Sequence, residues 1–179
     1  MSSASESSAA RIRRAQPADV PVLLKLIQAL AAYEALEHEL ALDAGELHEA
    51  LFGRRPFVEA LLAEQIDSSE INLEAVGCAI YFKSFSTFRC RPGFYLEDLF
   101  VLPEARGQGI GLALLRAVCA EAERRHYARV EWSVLDWNAP AIAFYERLGA
   151  VHQPEWQRFR LDGEALTRAA LQMLSLIHI

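Results

Sequence analysis

An apolar strand that runs straight into a glycine-rich loop and then into an amphipathic helix sets the tightest limit on this chain. Phe94 to Leu102 is apolar except for Glu97 and Asp98, and Arg106-Gly107-Gln108-Gly109-Ile110-Gly111 follows it. The next residues place Ile110, Leu114, Val118 and Ala122 at helical spacing, which predicts a helix ending near His126. Glycines without Cβ atoms let the loop backbone approach a ligand and adopt positive φ. The helix start adds N–H groups without intrahelical partners and the positive end of the helix dipole. Together these make an anion site suited to a pyrophosphate. A Walker A loop would need Gly-Lys-Ser/Thr, and the loop has no lysine. A dinucleotide G-x-G-x-x-G begun at Gly107 would need glycine where Leu112 stands. A tight strand-to-helix turn with no ligand is the alternative reading of the same spacing.

The rest of the chain reads as alternating α and β segments. Arg11 to Arg14 is a short strand, and Pro17 with Asp19 opens a helix to about Tyr33 whose apolar face is Val20, Leu23, Leu24, Ile27, Leu30 and Ala31. A second helix covers Asp43 to Phe52, and strands are expected over Phe57 to Ala63 and Leu73 to Phe85. A polar turn near Asp67-Ser68-Ser69 separates the two, and Arg91-Pro92-Gly93 reads as the turn before the apolar strand. Arg129 to Leu135 is a further strand. Asn138 caps a helix that runs to Leu148 and stops at Gly149. A last strand is expected over Trp156 to Leu161, then a helix from Glu164 to Leu174 capped by Asp162. With 179 residues, no repeat and no long linker, the chain reads as one α/β domain over 11–174, between a flexible tail (1–10) and an apolar tail (175–179).

Composition narrows the partners. A formal net charge of −6 argues against a nucleic-acid binder, which needs a basic patch, and suits a cationic small molecule. The richest apolar run, Val20 to Ala32, is broken by Lys25 and Gln28, so no membrane span is expected. Three cysteines cannot form a closed disulfide framework, which fits a reducing, cytoplasmic setting. Five histidines include no HExxH and no Cys/His cluster, so no metal site is expected.

Arg106-x-x-Gly109-x-Gly111 resembles the acetyl-CoA signature R/Q-x-x-G-x-G/A of the GNAT acetyltransferases. Asn138 through Ala150, an Asn-capped helix that carries Tyr145 and ends at Gly149, resembles the second signature of that family. Within the family the resemblance is nearest to the spermidine/spermine (diamine) acetyltransferase branch. It rests on Tyr95-Leu96-Glu97-Asp98-Leu99-Phe100-Val101, Leu30-Ala31-Ala32-Tyr33-Glu34, Trp137-Asn138 and Trp156, and it runs from about Ile12 to Leu171.

The resemblance implies a GNAT fold of the α/β (α+β) class: a mixed, mostly antiparallel twisted sheet, splayed at strands four and five and flanked by helices. It implies acetyl-CoA as cosubstrate, contacted by Leu99, Phe100, Val101, Arg106, Gly107, Gln108, Gly109, Ile110, Gly111, Leu112, Asn138, Tyr145 and Arg147. It implies a small cationic amine as acceptor, contacted by Tyr33, Glu34, Glu97, Asp98, Glu131, Trp132 and Ser133. A homodimer is implied as well.

The expected chemistry is direct acetyl transfer without an acetyl-enzyme. An alkyl amine with a pKa near 10 is protonated at neutral pH and must lose a proton, while the leaving thiolate must gain one. Glu97 is the expected base, direct or through water, with Asp98 in a secondary, orienting role. Strand alternation sends these two carboxylates to opposite faces unless a bulge intervenes, and satisfaction of both by cationic neighbours or loop N–H groups is the structural alternative. Tyr145 is the expected acid at the thioester sulfur, and a strand-four N–H would stabilise the developing oxyanion. A different amine acceptor (a thialysine-like amino acid, an aminoglycoside or a protein N-terminus) and a non-catalytic CoA-binding protein are the competing readings.

Overall fold

The computed structural model describes residues 10–66 and 73–176. All but the last residue of the expected tail at 1–10, the turn at 67–69 and residues 177–179 of the expected apolar tail at 175–179 lie outside the described residues. The chain divides into two compact units, the first ending at Ser133 and the second beginning at Val134.

In the first unit five strands form one sheet in the order β1-β2-β3-β4-β5. They span Arg11–Arg14, Val58–Ile66, Leu73–Ser86, Arg91–Val101 and Val130–Trp132. The pairs β1–β2, β2–β3 and β3–β4 are antiparallel, and β4–β5 is parallel. The β5 register stops at Leu96↔Trp132 while β4 runs on to Val101, so the sheet opens between these strands as expected. This is the mixed, mostly antiparallel sheet that the resemblance implies.

Three helices cover the sheet: α1 (Val20–Glu34), α2 (Ala44–Phe52) and α3 (Ile110–Arg124). On one face Leu23 and Leu26 of α1 and Leu51 of α2 pack with Ala60, Leu62, Cys78, Ile80 and Phe100. Strand alternation leaves Leu61, Ala63, Ala79 and Tyr81 on the opposite face, where α3 buries Leu114, Leu115, Val118 and Ala122. The helical spacing anticipated Val20, Leu23 and Ala31; Leu26 joins them in the core where Leu24 was expected. Asp43 caps α2 by accepting from the Glu46 N–H at 2.8 Å, a contact worth about 1 kcal/mol.

The turn between β3 and β4 lies at Thr87–Cys90, with Cys90 at φ 49°, and not at Arg91-Pro92-Gly93 as its residues suggest. Those three residues already belong to β4. A Cβ on Gly93 would stand 2.8 Å from the Arg129 carbonyl oxygen, so this glycine serves a close chain crossing. Beside it the Phe94 N–H donates to that same carbonyl at 3.0 Å.

In the second unit α4 (Ala139–Arg147) and α5 (Gly163–Leu176) are helical. The strand expected over Trp156 to Leu161 is not formed. The segment has no ladder partner among the described residues, and Trp156, Phe159 and Leu161 are exposed. Alternating apolar residues make a strand only where a neighbour satisfies the backbone groups. No helix among the described residues is long and apolar enough to cross a membrane.

Candidate active site

The β3–β4 ladder carries a bulge where the two carboxylates stand. Tyr81 pairs with Leu96 and Ile80 with Asp98, so Glu97 is an extra residue with no partner of its own. The bulge switches faces. Phe94 sits edge-on to Tyr81 on the α3 side, and Leu96 shares that side by alternation. Asp98 and Phe100 pair with Ile80 and Cys78 on the α1/α2 side. Without the extra residue, positions 94, 96, 98 and 100 would share one face.

Asp98 is therefore partly buried toward α1, and Glu97 is exposed beside it. Burial pushes the Asp98 carboxyl up to about 6, aided by the negative charges of Glu97 and Glu34. Glu34, the last residue of α1, is itself raised by burial. Among the described residues no cation pairs with Glu34, Glu97 or Asp98, which removes cationic neighbours as the explanation for this group.

α1 ends one residue after Tyr33. Leu36 donates its N–H to the Ala31 carbonyl at 2.8 Å and Ala35 donates to Ala32, with Ala35 left-handed at φ 56°. This is a Schellman arrangement with alanine where glycine is usual. Next to it, the Arg106 guanidinium lies 4.4 Å from the centroid of the Tyr33 ring and 5.6 Å from that of Phe100. Its Nε donates to the Val101 carbonyl at 2.9 Å. Arg106, Tyr33, Phe100 and Val101 thus come together from the loop, α1 and the end of β4.

Beyond Arg106, Gly107 and Gly109 hold φ of 77° and 79°. A Cβ at either would meet nothing within 4 Å, so what demands glycine is the backbone angle, and the loop faces open space. Gly109 is the N-cap of α3 and carries no capping side chain. The Ala113 N–H donates to the Gly109 carbonyl at 2.9 Å, which leaves the N–H groups of Ile110, Gly111 and Leu112 without intrahelical acceptors. A negatively charged pyrophosphate fits this uncapped start. Gln108 is held from the side, its Oε1 accepting from Gln65 Nε2 at 2.7 Å.

Leu99, Phe100 and Val101 complete β4 past its last pair with β5. On β5, Trp132 pairs with Leu96, and Glu131 is engaged by Arg129 at 2.7 Å. The Ser133 hydroxyl and the Tyr95 hydroxyl lie 2.8 Å apart, so Tyr95 joins this group unanticipated. In the second unit Asn138 is buried and accepts from the Ala141 N–H at 3.3 Å, capping α4 as its position suggests. Tyr145 lies in the last turn of α4, its ring 5.2 Å from Phe144, and Arg147 ends the helix. Gly149 follows at φ 84°. Among the described residues no group of His, Cys, Asp and Glu could hold a metal ion.

Comparison with known proteins adds a family. The model of the acetyltransferase (GNAT) family matches residues 27–150. The chain is 36% identical over 166 residues to a thialysine N-epsilon-acetyltransferase of Mus musculus, covering 89% of this chain and 96% of that protein. It is 33% identical to an L-ornithine N5-acetyltransferase of Arabidopsis thaliana, covering 87% and 86%. A spermidine/spermine N(1)-acetyltransferase-like protein 1 of Homo sapiens is 31% identical over 87% of this chain but only 23% of that protein. The thialysine and ornithine enzymes are thus more similar to it than the polyamine branch suggested by its motifs. Among solved structures, an integron cassette protein from the V. cholerae mobile metagenome superposes with a TM-score of 0.71 at 25% identity, covering 92% of this chain and 99% of that one.

Proposed function

This chain belongs to the GNAT family and is an acetyl-CoA-dependent N-acetyltransferase, and on that premise we propose that its acceptor is a small molecule carrying two ammonium groups. The observation that carries this is the group Glu34, Glu97 and Asp98, in which the β4 bulge turns Asp98 toward the end of α1 and no cation among the described residues pairs with any of the three. A polyamine or diamine of the spermidine type meets that group with two charges. A diamino acid such as thialysine or ornithine does so as well, and the names of the more similar relatives favour this second form.

Acetyl-CoA supplies the activated acyl group as a thioester. The N–H groups at the start of α3 and the loop from Arg106 to Leu112 hold its pyrophosphate, with β4 from Leu99 to Val101 alongside the acyl end. Asn138 and Arg147 are taken as further cosubstrate contacts on resemblance. Asp98 accepts the amine proton, since its raised proton affinity brings it nearer the working pH than an ordinary carboxyl. Glu97 contacts the amine and shares the base role. Tyr33, Glu34, Trp132 and Ser133 line the acceptor side, and Glu131, paired with Arg129, is placed there on resemblance. Tyr145 protonates the leaving sulfur.

Residues 11–174 are taken as one acetyltransferase domain in this proposal, on resemblance. The enzyme works as a homodimer in a reducing cytoplasm, where Cys78, Cys90 and Cys119 remain free thiols. The test is release of CoA thiol with spermidine, spermine, putrescine, thialysine, ornithine and lysine, run beside simple monoamines such as butylamine. Turnover of a diamine or diamino acid, with monoamines poor, is the expected result. Efficient turnover of monoamines alone overturns the two-ammonium acceptor.

A further inference from the structure

Arg106 belongs to the glycine loop by sequence, yet its side chain reaches across to the end of α1. Its guanidinium lies over the Tyr33 ring at 4.4 Å while Nε donates to the Val101 carbonyl at 2.9 Å. The bond to Val101 uses Nε, and the guanidinium carbon lies over the Tyr33 ring and within 5.6 Å of the Phe100 centroid. The two terminal nitrogens keep their N–H donors for an anion. One side chain can therefore touch the acetyl-donor loop and the acceptor side at once.

The end of α1 is a segment whose position is open to such control. Its cap residue, Ala35, holds a left-handed φ of 56°, a conformation that costs a non-glycine residue free energy. Just before it stands Glu34, and just after it come Glu37 and Glu39. Fixing Tyr33 fixes where this acidic turn leaves the helix. Arg106 itself is exposed, and an exposed guanidinium is held only as firmly as its partners hold it.

We propose that Arg106 is a positioning residue that couples the two substrates: an anion at the glycine loop holds the guanidinium on Tyr33, which sets the end of α1 for the amine. The inference rests on the assignment of Tyr33 and Glu34 to the acceptor side. Coupling of this kind is reciprocal, so donor and amine must strengthen one another's binding by the same factor. Lysine cannot replace arginine here, because an ammonium lacks the planar face that stacks on the ring.

The experiment is calorimetric titration of free CoA into the full chain, alone and with each amine that the thiol-release assay shows to be turned over. In the wild type the CoA dissociation constant should fall about fivefold or more when the amine is saturating, at the low end of ordinary coupling. Tyr33→Phe keeps the ring and should keep the factor. Tyr33→Leu and Arg106→Lys should bring it close to one, and should raise the amine KM by a larger factor than they lower kcat. A wild-type factor of one, or an unchanged factor in Tyr33→Leu, overturns the coupling while leaving the acetyltransferase reading intact. If no diamine or diamino acid is turned over in that assay, the acceptor-site assignment fails, and the coupling fails with it.

Discussion

Asp98 stands opposite Ile80, one position later than the register set by Tyr81 and Leu96 would place it. That single slip brings a carboxylate onto the α1 side among apolar neighbours and next to two further negative charges. It also dictates how the protein should respond to pH. Asp98 binds its proton more tightly in the folded chain (about 6 against an ordinary 3.8). Between those values the folded state holds more protons than the unfolded one, so stability falls as pH rises through the window. Asp98→Asn should therefore stabilise the protein at pH 7 by on the order of 1–3 kcal/mol, with the gain vanishing below about pH 4. The same variant should lose the rise in kcat/KM through about pH 6 and about 100-fold or more of its activity. Urea unfolding at pH 4 and 7 together with a pH–rate profile checks both; equal stability of variant and wild type at pH 7 rejects the account.

Glu97→Gln should behave differently. Its side chain is exposed, so removing its charge should change stability by less than about 0.5 kcal/mol. It should also shift the Asp98 limb of the pH–rate profile downward, because one of the charges raising that carboxyl is gone. A profile that keeps its wild-type midpoint in this variant would mean that the two carboxylates do not sense each other.

Gly109 holds φ 79° with open space where a Cβ would go. Gly109→Ala therefore costs backbone conformational energy and creates no clash in the free protein, about 1–2 kcal/mol. That Cβ would project into the space the pyrophosphate is expected to use, so CoA binding should weaken about tenfold or more, beyond the loss in melting temperature. Titration calorimetry beside thermal unfolding separates the two effects. A variant that is destabilised but binds CoA as the wild type does would remove the loop from the binding site.

If Tyr145 donates the proton to the leaving sulfur, Tyr145→Phe should lower kcat about 100-fold or more while the KM for acetyl-CoA changes little. Full turnover by a folded Tyr145→Phe variant eliminates this role. The measurement is steady-state kinetics with the amine and acetyl-CoA varied in turn, alongside a circular dichroism melt to show the fold is kept.

The strand–glycine loop–helix unit was legible from local chemistry: a period of 3.6 in Ile110, Leu114, Val118 and Ala122, and glycines where φ must be positive. The α4 cap at Asn138 and the stop at Gly149 were legible for the same reason. The bulge at Glu97 was not, because two adjacent carboxylates on an apolar strand fit either face assignment until a partner strand sets the register. Nor was the stack of Arg106 on Tyr33, which joins segments far apart in the chain. Trp156 to Leu161 misled because alternation describes a strand's side chains but says nothing of a neighbour for its backbone.

Pro92-Gly93 misled in an instructive way, since the same dipeptide serves either a turn or a crossing where two backbones nearly touch. Here Gly93 lies within β4, and a Cβ on it would come within 2.8 Å of the Arg129 carbonyl oxygen, a backbone atom that cannot rotate aside. Gly77 on β3 is similar, with the Phe100 carbonyl oxygen 2.7 Å from its would-be Cβ. Gly93→Ala should push the Arg129 segment away from β4 and weaken the register that begins at Phe94↔Val130. Gly77→Ala should instead spread β3 from β4 beside Phe100. Each should cost about 1–3 kcal/mol, the usual range for overpacking, against less for Gly111→Ala, whose φ is ordinary and whose Cβ would meet only Val101 Cγ2 at 3.8 Å. The order of the three urea midpoints decides the matter: Gly93→Ala as stable as Gly111→Ala would show that the crossing at Arg129 relaxes freely. If instead only Gly93→Ala and Gly77→Ala fall well below wild type, these two glycines are set by backbone proximity rather than by conformation.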